Sequence, residues 1–244
     1  MHEEHGFTWL THIPGLEHVP LHILHAVLVS VILISSMFFA RLQLAAVRKT
    51  EGAGLVPPSK MTYRNFFEIV AEKIYGLAVS VMGEHNTHVY FPFIGTLFVF
   101  IFTSNFLGLI PGFLPPTDNM NTTFALGIFV FLYYTMVSIK SNGLLGHLKH
   151  LAMLDVLKGP LGILAILMFP IEIFSHIIRP FSLALRLKWN MAGDHIVLGV
   201  FSSLVPYAIP VVFMMLGAFV AFVQAFVFTL LTMVYISMST AHDH

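Results

Sequence analysis

Glu172, Ser175, Arg179, Ser182, Arg186 and Asn190 recur at helical spacing inside an otherwise apolar segment. The steps of three, four, three, four and four residues place all of these side chains on one face of one helix. Ile, Leu, Phe, Met and Ala occupy most of the other positions. A charged side chain in hydrocarbon costs about 3 kcal/mol or more, so Arg and Glu at such depth point to function. The available chemistry is a carboxyl, two guanidiniums, hydroxyls and an amide, which suits the handling of an ion or a proton. Arg186 is a fixed positive charge, because a guanidinium does not deprotonate in proteins. Its structural alternative is a snorkelling Arg near a helix end, anchored by Lys188 and Trp189. The alignment with Arg179, Ser182 and Asn190 favours function. Glu172 suits a group that relays protons, and an ion pair with Arg179 on the same face is compatible with that role.

Other candidates lie downstream. Asp194 and His195 follow Asn190 and read as a turn that opens the next helix. Imidazole titrates near neutral pH, which suits transient proton carriage; helix capping by Asp194 beside a surface His is the equal alternative. Gly217, Ala221 and Gln224 share a face at steps of four and three. Small residues there let another helix approach closely, and Gln224 is the polar group able to meet Arg186. His18, His22 and His25 have metal-like spacing but sit where the chain enters the membrane, so they read as interfacial histidines. No metal site or cofactor is expected. The chain has no cysteine, which removes disulfides, thiolate metal sites and Cys nucleophiles. It also has no HExxH, Walker A, GxGxxG or GxSxG motif, and so no recognisable catalytic or nucleotide site of its own.

The elements that position these residues are membrane helices. Of 244 residues, 57% are hydrophobic and only 10% charged, against about 25% charged in soluble proteins. Mean hydropathy is +0.85. The formal net charge of zero gives no argument for a nucleic-acid partner; the lipid bilayer is the partner that composition names. The expected fold is an all-α integral membrane protein, one membrane domain over residues 1–244. After an outer segment, 1–20, the spans are about 21–47, 89–110, 122–139, 160–189 and 196–239, with an amphipathic surface helix at 65–82. A sixth, buried span at 65–82 is the alternative there. Arg48, Lys49, Lys60 and Arg64 follow the first span, and Lys140, Lys149 and Lys158 follow the third, while 111–121 carries Asp118 and no Lys or Arg. The positive-inside rule then puts the N-terminus outside and the C-terminus in the cytoplasm. The acidic, His-rich start lacks the basic region of a signal peptide and is expected to remain on the mature protein.

The apolar run from Ile196 to Met238 would measure roughly 65 Å as one helix, twice a hydrocarbon core. It must tilt steeply, break near Pro206 or Pro210, or do both. Two long tilted helices suit a protein that flanks a large partner rather than a plain bundle.

Three ordered motifs carry a resemblance. PIEIFSHIIRPFSLALRLKWNMAGDHIV (170–197), VQAFVFTLLTMVYISMS (223–239) and NFLGLIPGF (105–113) with its following polar turn resemble subunit a of the F-type ATP synthase membrane sector, of bacterial type. The resemblance covers nearly the whole chain and is weakest over the first 60 residues. It implies a stator subunit with two offset aqueous half-channels in a bacterial inner membrane, its last two helices forming a hairpin against the rotor. The implied partners are a ring of c-subunits, the b-subunit peripheral stalk and the remaining synthase subunits. Arg186 matches the family's essential arginine, Gln224 the glutamine beside it, and Asn190 the asparagine one turn on. His195 falls at the outer half-channel position, and Gly217 at the position that varies with it. Glu172, Ser175 and Ser182 match inner half-channel positions; Asp118 and Asn105 resemble outer-side polar ones. Two departures stand out. Lys188-Trp189 replaces the usual Phe followed by Gly or Ala, and the adjacent Asp194-His195 leaves both as candidates for one position.

A self-contained proton-coupled transporter is the rival reading. It calls for an internal repeat with paired broken helices, and the sequence shows no convincing one. A membrane metalloenzyme would need His clusters with acidic partners on one side of the membrane, which the sequence does not supply.

Overall fold

A computed structural model describes residues 8–12, 18–48, 63–151, 162–204 and 209–240. The linker 49–62, the Pro160 start of the fourth span and the Pro206 break lie outside the described residues. The described chain is helical: α1 (Leu21–Arg48), α2 (Tyr63–Met82), α3 (Glu84–Leu107), α4 (Met120–Leu151), α5 (Gly162–Leu204) and α6 (Ile209–Thr240), with short 3-10 turns at Trp9–His12 and Pro116–Asp118. This is an all-α, multi-pass membrane protein. Segments Leu21–Leu42, Glu84–Leu107, Met120–Ser141 and Pro210–Thr240 are each long and apolar enough to cross a bilayer.

Where the sequence reads as one membrane domain, packing divides the chain into two compact units, Met1–Pro116 and Thr117–His244. In the first, α3 packs against α1 and α2. Ile94, Leu97, Phe98 and Ile101 form its buried stripe, spaced at three, four and seven residues as a helix face requires. α2, over the segment read as amphipathic, buries Ala78 and Met82 while Glu68, Glu72 and Lys73 are exposed. Gly83 turns the chain between α2 and α3 at a φ of 77°, a conformation that favours glycine. At the far end of α3, the Trp9 N–H donates to the Gly112 carbonyl at 3.2 Å, and its indole N–H donates to the Pro111 carbonyl at 3.4 Å. His25 is fully buried, and its Nδ1 bonds the Leu21 carbonyl at 2.7 Å.

In the second unit α4, α5 and α6 pack on one another. The α4 stripe is Thr123, Val130, Tyr134 and Val137; that of α6 is Ala221, Ala225, Phe228, Thr232 and Ile236. Buried Thr229 and Thr232 donate their hydroxyls to the carbonyls of Ala225 and Phe228 at 2.7 and 2.9 Å, so they sit in an apolar interface without unmet donors. Gly127 of α4 lies against the Pro180 carbonyl of α5, which a Cβ would approach to 2.7 Å.

One expectation is corrected. The segment Met191 to His195, read as a turn, is continuous helix, and α5 runs 43 residues from Gly162 to Leu204. A single Gly inside a helix costs only about 1 kcal/mol, so Gly193 does not break it. The described helix runs to Leu204, through Pro170 and Pro180, and 205–208 lie outside the described residues. The last helix accordingly starts at Ile209 rather than Ile196. At 1.5 Å per residue, α5 is about 65 Å and α6 about 48 Å long. Both exceed the roughly 30 Å of hydrocarbon, so each must tilt to remain within it.

Candidate functional site

The continuity of α5 decides what its polar stripe can do. Leu183, Ala184, Leu187 and Met191 are its buried positions and face the helical partners. Phe174, Ile178, Phe181 and Trp189 are exposed on the other side. At 100° per residue the polar stripe falls along the border between these two faces. Its members therefore reach into the helix packing on one side and towards the unoccupied face on the other.

Arg186 takes the second direction. It is exposed and lines an open groove of about 480 Å³ together with Ile178, Phe181, Ser182, Leu185 and Trp189. Among the described residues it forms no ion pair. The apolar face continues on α6 through Val212, Met215 and Phe219. A fixed cation thus lies beside exposed apolar residues with no anion paired to it among the described residues.

Arg179 takes the first direction. It is half-buried, and its guanidinium carbon lies 5.4 Å from the centroid of the Tyr235 ring on α6. Tyr134 of α4 packs 5.7 Å from Tyr235 and 5.5 Å from His176 of α5, and its hydroxyl feels the Arg179 charge. The Tyr235 hydroxyl feels both Arg179 and Arg186. Three helices therefore meet on an aromatic and cationic cluster, whose α5 members lie about two to three turns from Arg186. Tyr134, Tyr235 and His176 were not candidates from the sequence, since aromatic residues in apolar runs look like lipid-facing or packing residues.

A second cluster forms at the other end of the stripe. Asp118, in the 3-10 turn before α4, and Asp194 both act electrostatically on the His195 imidazole. All three are half-buried. Asp194 and His195 are inside helix rather than at a turn, so neither is a capping residue; Asp118 joins them electrostatically.

The remaining candidates are placed as follows. Asn190 and Ser175 are half-buried on α5. Glu172 lies on the same helix, but its side chain is outside the described residues. Gln224 is half-buried on α6, on the face shared by buried Gly217 and Ala221, yet among the described residues no hydrogen bond joins it to Arg186. Asn105 is fully buried in the first unit, a core position of α3. Lys188 turns its ammonium onto the neighbouring Trp189 ring, 4.1 Å from the centroid.

Comparison with known proteins gives this geometry its context. The family model described as "ATP synthase A chain" matches residues 23–237. A protein of Bdellovibrio bacteriovorus named ATP synthase subunit a is 47% identical, over 98% of this chain and 100% of its own length. A namesake from Trichlorobacter lovleyi is 48% identical over 74% of this chain and 75% of its own length. ATP synthase subunit a 2 of Syntrophotalea carbinolica is 41% identical over 100% of this chain and 91% of its own. With a family match over most of its length and similarity from end to end, the chain belongs to the ATP synthase A-chain family.

Proposed function

We infer that this chain is the proton-translocating stator subunit of a rotary F-type ATP synthase. The observation that carries the mechanism is Arg186: a permanent cation, exposed in a groove of an apolar face, without an ion pair among the described residues. Such a charge at membrane depth is favoured by an anion that visits it. A ring of c-subunits, each bearing a carboxyl in mid-membrane, supplies visiting anions in succession.

Protons from outside reach a rotor carboxylate by way of the Asp118, Asp194 and His195 cluster and Asn190. Once neutral, the carboxyl can turn through lipid, where its ionised form would cost several kcal/mol. On returning to the stator it meets Arg186, whose charge favours the ionised form and releases the proton along Ser182, Ser175 and Glu172 to the inside. Because Arg186 lies between the two paths, its charge opposes a direct proton leak. Each elementary charge crossing gains about 2.3 kcal/mol per 100 mV, so several crossings are needed for each ATP. Gln224, with Gly217, lies on α6 beside this contact. The proposed topology has α5 as a fifth, steeply tilted span, forming with α6 a hairpin against the ring, the N-terminus outside and the C-terminus in the cytoplasm. The b-subunit stalk is the expected static partner.

Expression alone separates this reading from a self-contained transporter. Reconstituted without other synthase subunits, the chain should carry no proton flux above that of empty liposomes, and it should gain flux when a c-ring is supplied. Robust proton-coupled uptake by the solitary chain would overturn the reading.

A further inference from the structure

The first unit holds a half-open apolar pocket of about 340 Å³ between α1, α2 and α3, with Met37, Ala40, Ala71, Ile74, Phe91 and Gly95 among its walls. Packed protein has few voids larger than a water molecule, and an apolar cavity of about 150 Å³ already takes up benzene. A half-open apolar pocket of more than twice that volume has room for an apolar ligand. The cavity lies between α1 and α3, both long and apolar enough to cross a bilayer, so its surroundings are hydrocarbon rather than water.

Size and shape narrow the choice. A helix with its side chains is about 10 Å or more across, too wide for this space. At roughly 30 Å³ for each water-sized group, the volume takes about eleven in a row, which matches most of one acyl chain. Lining positions on α1 (Leu33, Ser36, Met37, Ala40) and α2 (Phe67, Val70, Ala71, Ile74) repeat at three, four and seven residues, so each helix lays a straight stripe along the slot. Small residues open it. A Cβ built on Gly95 would meet only the Phe91 ring of its own helix, at 3.8 Å. Phe91 is in turn held edge-on by Tyr75 at 5.1 Å. Exposed groups of both signs adjoin the lining residues, Glu68, Glu72 and Lys73 on α2 and Arg41 on α1, which suits a headgroup carrying both a phosphate and an ammonium.

We propose that this slot is a binding site for a phospholipid, one acyl chain lying between α1, α2 and α3 beneath the amphipathic helix. The test uses the purified protein in nanodiscs of phosphatidylethanolamine and phosphatidylglycerol with a trace of phosphatidylethanolamine carrying a mid-chain diazirine. After irradiation, label should concentrate on residues 33–40, 67–74 and 91–99, severalfold above the outward α1 positions Val27 and Val31. Gly95→Leu, which fills the slot from α3, should lower that labelling severalfold and leave the outward α1 positions unchanged; Ala71→Leu, from α2, should do the same. Uniform labelling of α1, or labelling insensitive to both variants, would overturn the proposal. So would a photocrosslinker at residue 95 that captures the helix of another subunit instead of lipid.

Discussion

Arg179 and Tyr235 bind α5 to α6: the guanidinium sits over the Tyr235 ring, 5.4 Å from its centroid. Arg186, two turns further along the same stripe, is exposed. Helical spacing puts the two arginines on one face, and the packing separates their tasks. One cation is committed to the helix interface, and the other is left for a partner.

This division predicts different variant behaviour. Tyr235→Leu removes a partly desolvated cation–π contact worth about 2 kcal/mol. It should lower the thermal stability of the detergent-purified complex, whereas Tyr235→Phe, which keeps the ring, should stay close to wild type. The unfolding midpoint by intrinsic fluorescence reads both. Equal destabilisation by Phe and Leu would show that the hydroxyl, not the ring, matters.

Gly127 gives a purely steric prediction. A methyl group there would meet the Pro180 carbonyl at 2.7 Å and Ala184 Cβ at 3.3 Å. Backbone cannot yield as a flexible side chain can, so α4 and α5 must move apart. Gly127→Ala should cost about 1–3 kcal/mol, and Gly127→Val more. Thermal melting of the purified protein measures the loss, and a neutral Gly127→Val would contradict the close crossing.

Much of this was legible in the sequence. Apolar runs of membrane length gave the helices, since nothing but a helix satisfies an isolated backbone in lipid. The polar stripe was visible because charges in such a run are rare. The extent of α5 was misjudged, because Gly193 and the polar Asp194-His195 resemble a turn, whereas the helix continues through them to Leu204. Tyr134, Tyr235 and His176 were invisible for another reason. An aromatic residue in an apolar run carries no mark of whether it meets lipid or an arginine; only the packing of α4, α5 and α6 tells. The same holds for Asp118 and His195, which are distant in sequence and meet through the fold.

That meeting can be tested by coupling. If Asp118 and His195 serve one proton path, Asp118→Asn and His195→Leu should each slow ATP-driven pumping in inverted vesicles. The double variant should lose less than the product of the single effects, because groups in one cluster are not additive. Independent, multiplying losses would place them on separate paths.

At the other end of the chain, Gly112 has a φ of +88° and its Cβ position is filled by the Trp9 indole. Gly112→Ala should therefore release the Thr8–His12 segment, seen as faster proteolysis near the N-terminus in oriented vesicles. Trp9→Ala should have the same effect. Unchanged protection in both variants would contradict the docking.

The central claim rests on Arg186, and the most direct measurement is ATP-driven acidification of inverted membrane vesicles carrying Arg186→Ala beside wild type, with subunit assembly checked in the same membranes. The account predicts that pumping is abolished while assembly is normal, since the variant removes the fixed charge that makes a returning carboxyl give up its proton. Full pumping by an assembled Arg186→Ala complex would mean that the stripe serves structure alone, and would contradict the account.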